Sequence, residues 1–194
     1  MSNTEKAAAI VKKEKFEEPK DLIEIYEYAK SSNETLKKYI DSTMDMYRNL
    51  GITTENFTFS VAEKKVVIRL SPEKGKHMGH TLENQEESIS LVHGGILTFL
   101  ADASAGALAF SVCKENIIPI TTKTEISFKS PAILNAGNLI VVSSFKEESE
   151  GGEPIIITEI FQGSNTVFTA LTYFKNTDSE RVIPLIKRQL RNNN

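Results

Sequence analysis

Between Gly95 and Phe110 the chain has no proline and a single charge, Asp102, and its apolar residues run right round a helical wheel. A helix apolar on every side is enclosed by protein rather than laid on a surface, so the rest of the chain has to wrap around this rod. Ala101, Ala103, Ala105, Gly106, Ala107 and Ala109 keep the rod thin enough for a sheet to approach closely. Gly106 costs about 1 kcal/mol relative to alanine in a helix interior, and close packing must offset that cost. A lone carboxylate in such a helix needs a chemical reason.

His93, Gly94 and Gly95 stand directly ahead of the rod. Glycines leave the first N–H groups of a helix uncovered by side chains, and these unpaired amides, at the positive end of the helix dipole, favour partial negative charge. A carbonyl oxygen turning into an oxyanion is a charge of that kind.

The segments on either side read as strands. Phe57 to Ala62 and Val66 to Leu70 flank Glu63-Lys64-Lys65, with Phe57, Phe59 and Val61 alternating with polar neighbours. Ser71 to Ser90 is a long polar passage with no strong period, leading directly into the glycine pair. After the rod, Ile117 to Phe128 alternates: Ile120, Thr122, Thr124, Ile126 and Phe128 fall on one face, and Thr121, Lys123, Glu125 and Ser127 on the other. Leu139 to Lys146, Pro154 to Phe161 and Thr166 to Phe174 follow, joined at Glu150-Gly151-Gly152 and Gly163-Ser164-Asn165, both hairpin signals. Two strands, a buried helix and four strands make an α+β arrangement with an antiparallel sheet wrapped around a central helix.

The chain ends read differently. Residues 1–20 form a polar, flexible lead-in. Residues 21–51 form an N-terminal helical extension, with Leu36, Tyr39, Ile40, Thr43, Tyr47 and Leu50 on one stripe and Gly51 as the stop. The domain itself spans 52–178, and 179–194 is a partly helical tail.

With 194 residues and a net charge of −3, the chain fits one domain with a full core and has no basic footprint for nucleic acid. No run reaches the roughly 20 apolar residues of a membrane span. One cysteine, Cys113, is ordinary for a reducing compartment and reads as a small buried residue, so the expectation is a cytoplasmic protein. His77 and His80 lack a third ligand and read as surface residues of the polar passage, so no metal is expected.

His93-Gly94-Gly95 at the head of a buried helix, continued by Leu100-Ala101-Asp102 and followed by Ser130-Pro131-Ala132, resembles the hotdog-fold acyl-CoA thioesterases, in the branch of the phenylacetyl-CoA thioesterases. The resemblance spans roughly residues 57 to 175. It implies hydrolysis of an acyl-CoA thioester to CoA and a free acid, with no cofactor beyond the CoA of the substrate.

Residue by residue, it places His93, Gly94 and Asp102 on the family motif, and Thr121 where some relatives carry a serine. The Gly94 and Gly95 amides would polarise the carbonyl, Asp102 would serve as general base or nucleophile, and Thr121 would orient the water. His93 is read as fixing the loop through hydrogen bonds. Relatives often carry an asparagine or glutamine six residues before the histidine, where this chain has Glu87. Either Glu87 turns away, or it is protonated, or Asn84 or Gln85 serves instead. Lys129 and Lys146 could meet CoA phosphates at the mouth of the site, although lysines on strand ends are usually just solvated. A non-catalytic acyl-CoA binder or sensor is the alternative on the same fold.

One constraint is independent of the resemblance. With a helix start near Gly94, Asp102 lies roughly 12 Å further along the axis, too far for both to serve one carbonyl group and its attacking water. Two antiparallel copies across a two-fold axis bring Gly94 of one chain to Asp102 of the other, so a homodimer, or a dimer of dimers as a homotetramer, is expected.

Overall fold

The computed structural model describes residues 49–51, 57–60, 65–83, 88–111, 113, 117–148 and 152–182, with 184 and 188. The segment expected as a lead-in (1–20), most of the segment expected as an N-terminal helical extension (21–51), and Asn84, Gln85 and Glu87 lie outside the described residues.

The elements in chain order are β1 (Phe57–Ser60), β2 (Lys65–Leu70), the single turn α1 (Lys74–His77), β3 (Met78–Glu83), β4 (Ser88–Val92), α2 (Gly94–Ser111), β5 (Ile117–Phe128), β6 (Leu139–Glu148), β7 (Pro154–Gln162) and β8 (Asn165–Asp178). Six strands form one sheet in the order β1-β2-β6-β7-β8-β5, antiparallel throughout. The strands β5 to β8 lie where the sequence places them, but the alternation of β5 is broken between Thr121 and Lys123. Gly152 and Gly163 take φ of 75° and 57° at the two hairpin turns, a conformation open to glycine at little cost.

The polar passage from Ser71 to Ser90 is more ordered than its sequence suggests. It holds α1, β3 and part of β4, and β3 and β4 pair as a separate two-stranded sheet. Four strands therefore precede the helix, not two. This hairpin has little alternation to betray it, because Met78, Gly79, His80, Leu82, Glu83, Ser88 and Ile89 are all exposed.

The helix α2 lies across one face of the large sheet. Leu97, Leu100, Ala101, Ala105, Leu108 and Ala109 are buried against Val66, Ile68 and Leu70 of β2, Leu139 and Val141 of β6, Ile156 and Ile160 of β7, and Phe168, Ala170 and Phe174 of β8. At roughly 1.5–3 kcal/mol for each large apolar side chain removed from water, this core is the main favourable term for the sheet–helix packing. It fixes both the axis of α2 and the place where the helix begins. No described helix is long and apolar enough to cross a membrane.

Candidate active site

At its N-terminus α2 is capped by the residue before it. The His93 carbonyl accepts from Ile96 N–H at 2.9 Å, and His93 Nδ1 accepts from Gly95 N–H at 2.9 Å. A backbone N–H only donates, so this imidazole carries no proton on Nδ1. Two consequences follow. His93 acts here as a helix cap, and the Gly95 amide, expected to be available to a carbonyl oxygen, is already taken. The Gly94 N–H gives no hydrogen bond to the described residues.

Gly94 opens onto a cleft of about 420 Å³ whose apolar walls are Leu91, Val92, Leu97, Phe128, Pro131 and Ala132, with Lys129 and Ser130 also lining it. A Cβ at position 94 would stand 3.0 Å from Cε1 of Phe128, so only glycine lets that ring lie so close to the helix start. Phe128 is set edge-on against buried Phe168, with centroids 5.1 Å apart. The far wall is held by Gln162, which nothing in the sequence singled out. Its amide donates to the carbonyls of Ile133 and Gly137 at 2.6 and 3.1 Å, and its oxygen accepts from Ile133 N–H at 2.8 Å. The same loop pairs with β4, as Val92 N–H donates to the Ala132 carbonyl and Leu134 N–H to the Ser90 carbonyl.

The second group of residues lies farther along the helix. Thr121 Oγ1 donates to Asp102 Oδ1 at 3.2 Å. In a strictly alternating β5 these two could not meet, because Thr121 would face away from α2. Thr124, Ile126 and Phe128 pair with Thr172, Ala170 and Phe168 of β8, whereas Thr121 pairs with Phe174 and the register slips between Thr121 and Lys123. Thr122 is the extra residue of a β-bulge, and it flips the face for everything before it. Thr121 therefore joins the helix-facing side, and Ile120 leaves it, correcting the simple alternation.

Burial of α2 is not complete in the single chain. Gly95 and Asp102 are exposed, and Phe99 and Gly106 are half-buried. These four positions follow the spacing of one helix face. A Cβ added at Gly106 meets nothing within 4 Å, so the open stripe continues past Asp102. One strand is open on the same side: β5 is the last strand of the sheet, and its helix-side residues Ile126 and Phe128 are 46% and 56% exposed.

Of the residues singled out in the sequence, the single chain brings together Asp102 with Thr121, and His93 with Gly94 and Gly95. Lys129 lines the cleft together with Gly94. The two groups stay roughly 12 Å apart along the helix. Lys146 is exposed, toward the end of β6. His80 is exposed, but His77 is not a surface residue: it is fully buried, with both ring nitrogens hydrogen-bonded to main chain. Cys113 is half-buried and its thiol donates to the Ala109 carbonyl at 3.2 Å; burial pushes its pKa up to about 11.

No protein-family model matches the sequence, and no curated protein matches it. Solved structures do match. A thioesterase from Haemophilus influenzae superposes with a TM-score of 0.52 at 10% identity, covering 69% of this chain and 83% of that one. AziG of S. sahachiroi superposes with a TM-score of 0.52 at 15% identity, covering 69% of this chain and 96% of that one. What is shared is an antiparallel sheet packed on one long helix. The chain thus has the fold of these structures, the hotdog fold.

Proposed function

We propose that the protein is an acyl-CoA thioesterase that works as a homodimer, with each site built from the Gly94 amide of one chain and the Asp102–Thr121 pair of the other. The observation that carries this reading is the split itself: a helix whose Gly94 amide has no partner among the described residues, at a cleft, and, roughly 12 Å on, a hydroxyl-supported carboxylate on an open face. The open stripe of α2 and the unpaired edge of β5 are the surfaces a second copy would cover, and a long exposed edge strand is a liability for a lone chain. The fold is one that a solved thioesterase shares.

The chemistry follows from the groups. The Thr121 hydroxyl donates a hydrogen bond to Asp102 Oδ1, which leaves Oδ2 to take a proton from water. That water attacks the thioester carbon, and the carbonyl oxygen, gaining charge, meets the Gly94 N–H and the positive end of α2. Collapse breaks the C–S bond and expels CoA as its thiolate, which takes back the proton held by Asp102. In this reading the acyl group rests against the apolar cleft walls and Lys129, which lines the same cleft, meets an anionic part of CoA. The proposed steps use the chain's own residues and water, with no cofactor.

Thiol release from acetyl, medium-chain, long-chain and aromatic CoA esters tests the reading, with the oligomeric state measured on the same sample. Release from at least one ester by a dimer or larger assembly is expected. No release from any of them by folded protein overturns it, and tight ester binding without release selects the non-catalytic binder.

A further inference from the structure

His77 ends the single turn α1 and is fully buried. Glu73 N–H donates to its Nδ1 at 2.7 Å, so the ring proton is on Nε2, which donates to the Leu50 carbonyl at 2.7 Å. The main chain of the same residue makes a third bond: His93 N–H donates to the His77 carbonyl at 2.8 Å. Two residues on, Gly79 runs so close to His93 that a Cβ there would stand 2.7 Å from His93 Cα. His93 in turn carries the first turn of α2, through its carbonyl and its ring. The direction of the Gly94 N–H is thus set from behind by the stretch from His77 to Gly79.

Resting on the thioesterase reading above, we propose that His77 is a positioning residue for the Gly94 amide. Its ring clamps Leu50 and Glu73, its carbonyl clamps His93, and the chain at residue 50 is thereby tied to the site through three successive contacts. Without the ring, the Leu50 carbonyl and the Glu73 amide lose their partner, α1 loosens, and the carbonyl that holds His93 moves with it. A donor displaced by a fraction of an ångström still lets substrate bind but meets the oxyanion badly, so the loss falls on kcat rather than on KM.

The test compares the full-length parent with His77→Ala, His77→Gln and His77→Asn. Glutamine keeps a donor near the place of Nε2, and asparagine keeps an acceptor near the place of Nδ1. The readouts are kcat and KM on the best CoA ester, and the amide 1H–15N resonance of Gly94. His77→Ala is expected to lower kcat about 10- to 100-fold with KM within about twofold, and to move the Gly94 resonance. His77→Gln, which still holds Leu50, is expected to recover part of both. A folded His77→Ala protein with unchanged kcat and an unmoved Gly94 resonance overturns the proposal. Where the alanine variant does not fold, the same two criteria are applied to the glutamine and asparagine variants. If the parent hydrolyses no CoA ester, the thioesterase reading falls and the resonance alone decides: movement upholds the role of His77 and its absence overturns it.

Discussion

Thr121 Oγ1 reaches Asp102 Oδ1 at 3.2 Å because the strand that carries Thr121 is interrupted one residue later by a bulge. The hydroxyl donates, so it fixes the carboxylate rather than competing with it for a proton from water. Its lone pairs remain free to accept from that water, which would then be held between the two side chains.

Asp102→Asn keeps the shape of the side chain and removes its ability to take a proton. In steady-state thiol release it should lower kcat by about 10²- to 10⁴-fold with little change in KM. Thr121→Val should cost about tenfold, in line with the loss of one hydrogen bond to a charged group. Thr121→Ser should restore most of it. An Asp102→Asn enzyme with parental kcat would remove Asp102 from the mechanism.

The distance between Gly94 and Asp102 leads to a mixing experiment. Gly94→Pro deletes the N–H, and the fixed φ of proline suits the first turn of a helix, although its Cβ would stand 3.0 Å from Phe128 Cε1 of the same chain and that ring must shift. Each homodimer, of Gly94→Pro or of Asp102→Asn, then has two defective sites. A heterodimer has one site with both lesions and one with neither, so co-refolded mixtures should regain a substantial part of the parental rate per heterodimer. Verified heterodimers with no regained activity would place both groups in one chain.

The rod from Gly95 to Phe110 and the strands β5 to β8 were legible because their patterns are local: apolar on all sides for the one, period two for the others. The open stripe through Gly95 and Asp102 was not legible as a surface, because composition does not reveal which side of an all-round apolar helix the sheet covers. The bulge at Thr122 has no glycine to mark it. His77 looked like a loop residue because its partners are main-chain groups of Leu50 and Glu73, and such partners leave no residue pattern. The same holds for Gln162 and the carbonyls of Ile133 and Gly137. The hairpin β3–β4 escaped notice because it is mostly exposed, so burial imposes no alternation on it.

Gly79 provides a test of how rigidly the helix start is held. Its φ is unremarkable, so the restriction comes from space alone: an added Cβ would lie 2.7 Å from His93 Cα and 3.0 Å from His93 N, both main-chain atoms that no rotamer change can move aside. Gly79→Ala should therefore push β3 away from His93, lengthening the bond between His93 N–H and the His77 carbonyl. Overpacking of this kind typically costs about 1–3 kcal/mol. Denaturant unfolding should show a lower midpoint with an unchanged slope, and kcat should fall while KM holds. Gly75→Ala, in the same segment but with nothing within 4 Å of its added Cβ, is the control that should lower neither.

Cys113 gives a prediction in pH. Burial raises its thiol from the ordinary 9.0 to about 11, and Sγ–H donates to the Ala109 carbonyl. The thiolate is the nucleophile, so at pH 8 the native thiol should alkylate about 100-fold more slowly than the same cysteine in the unfolded chain. Stability carries the matching sign. Between pH 9 and 11 the unfolded chain has released this proton while the native chain keeps it, so the unfolded state binds fewer protons and stability falls as pH rises through that window. Below pH 9 both states hold the proton and the contribution is constant. Lysines and tyrosines titrate in the same range, so the diagnostic quantity is the difference between parent and Cys113→Ala. Unfolding curves at pH 8, 9, 10 and 11 should show the parent losing stability relative to the variant across the upper three, and parallel pH profiles would mean that the thiol is as accessible in the folded chain as in the unfolded one.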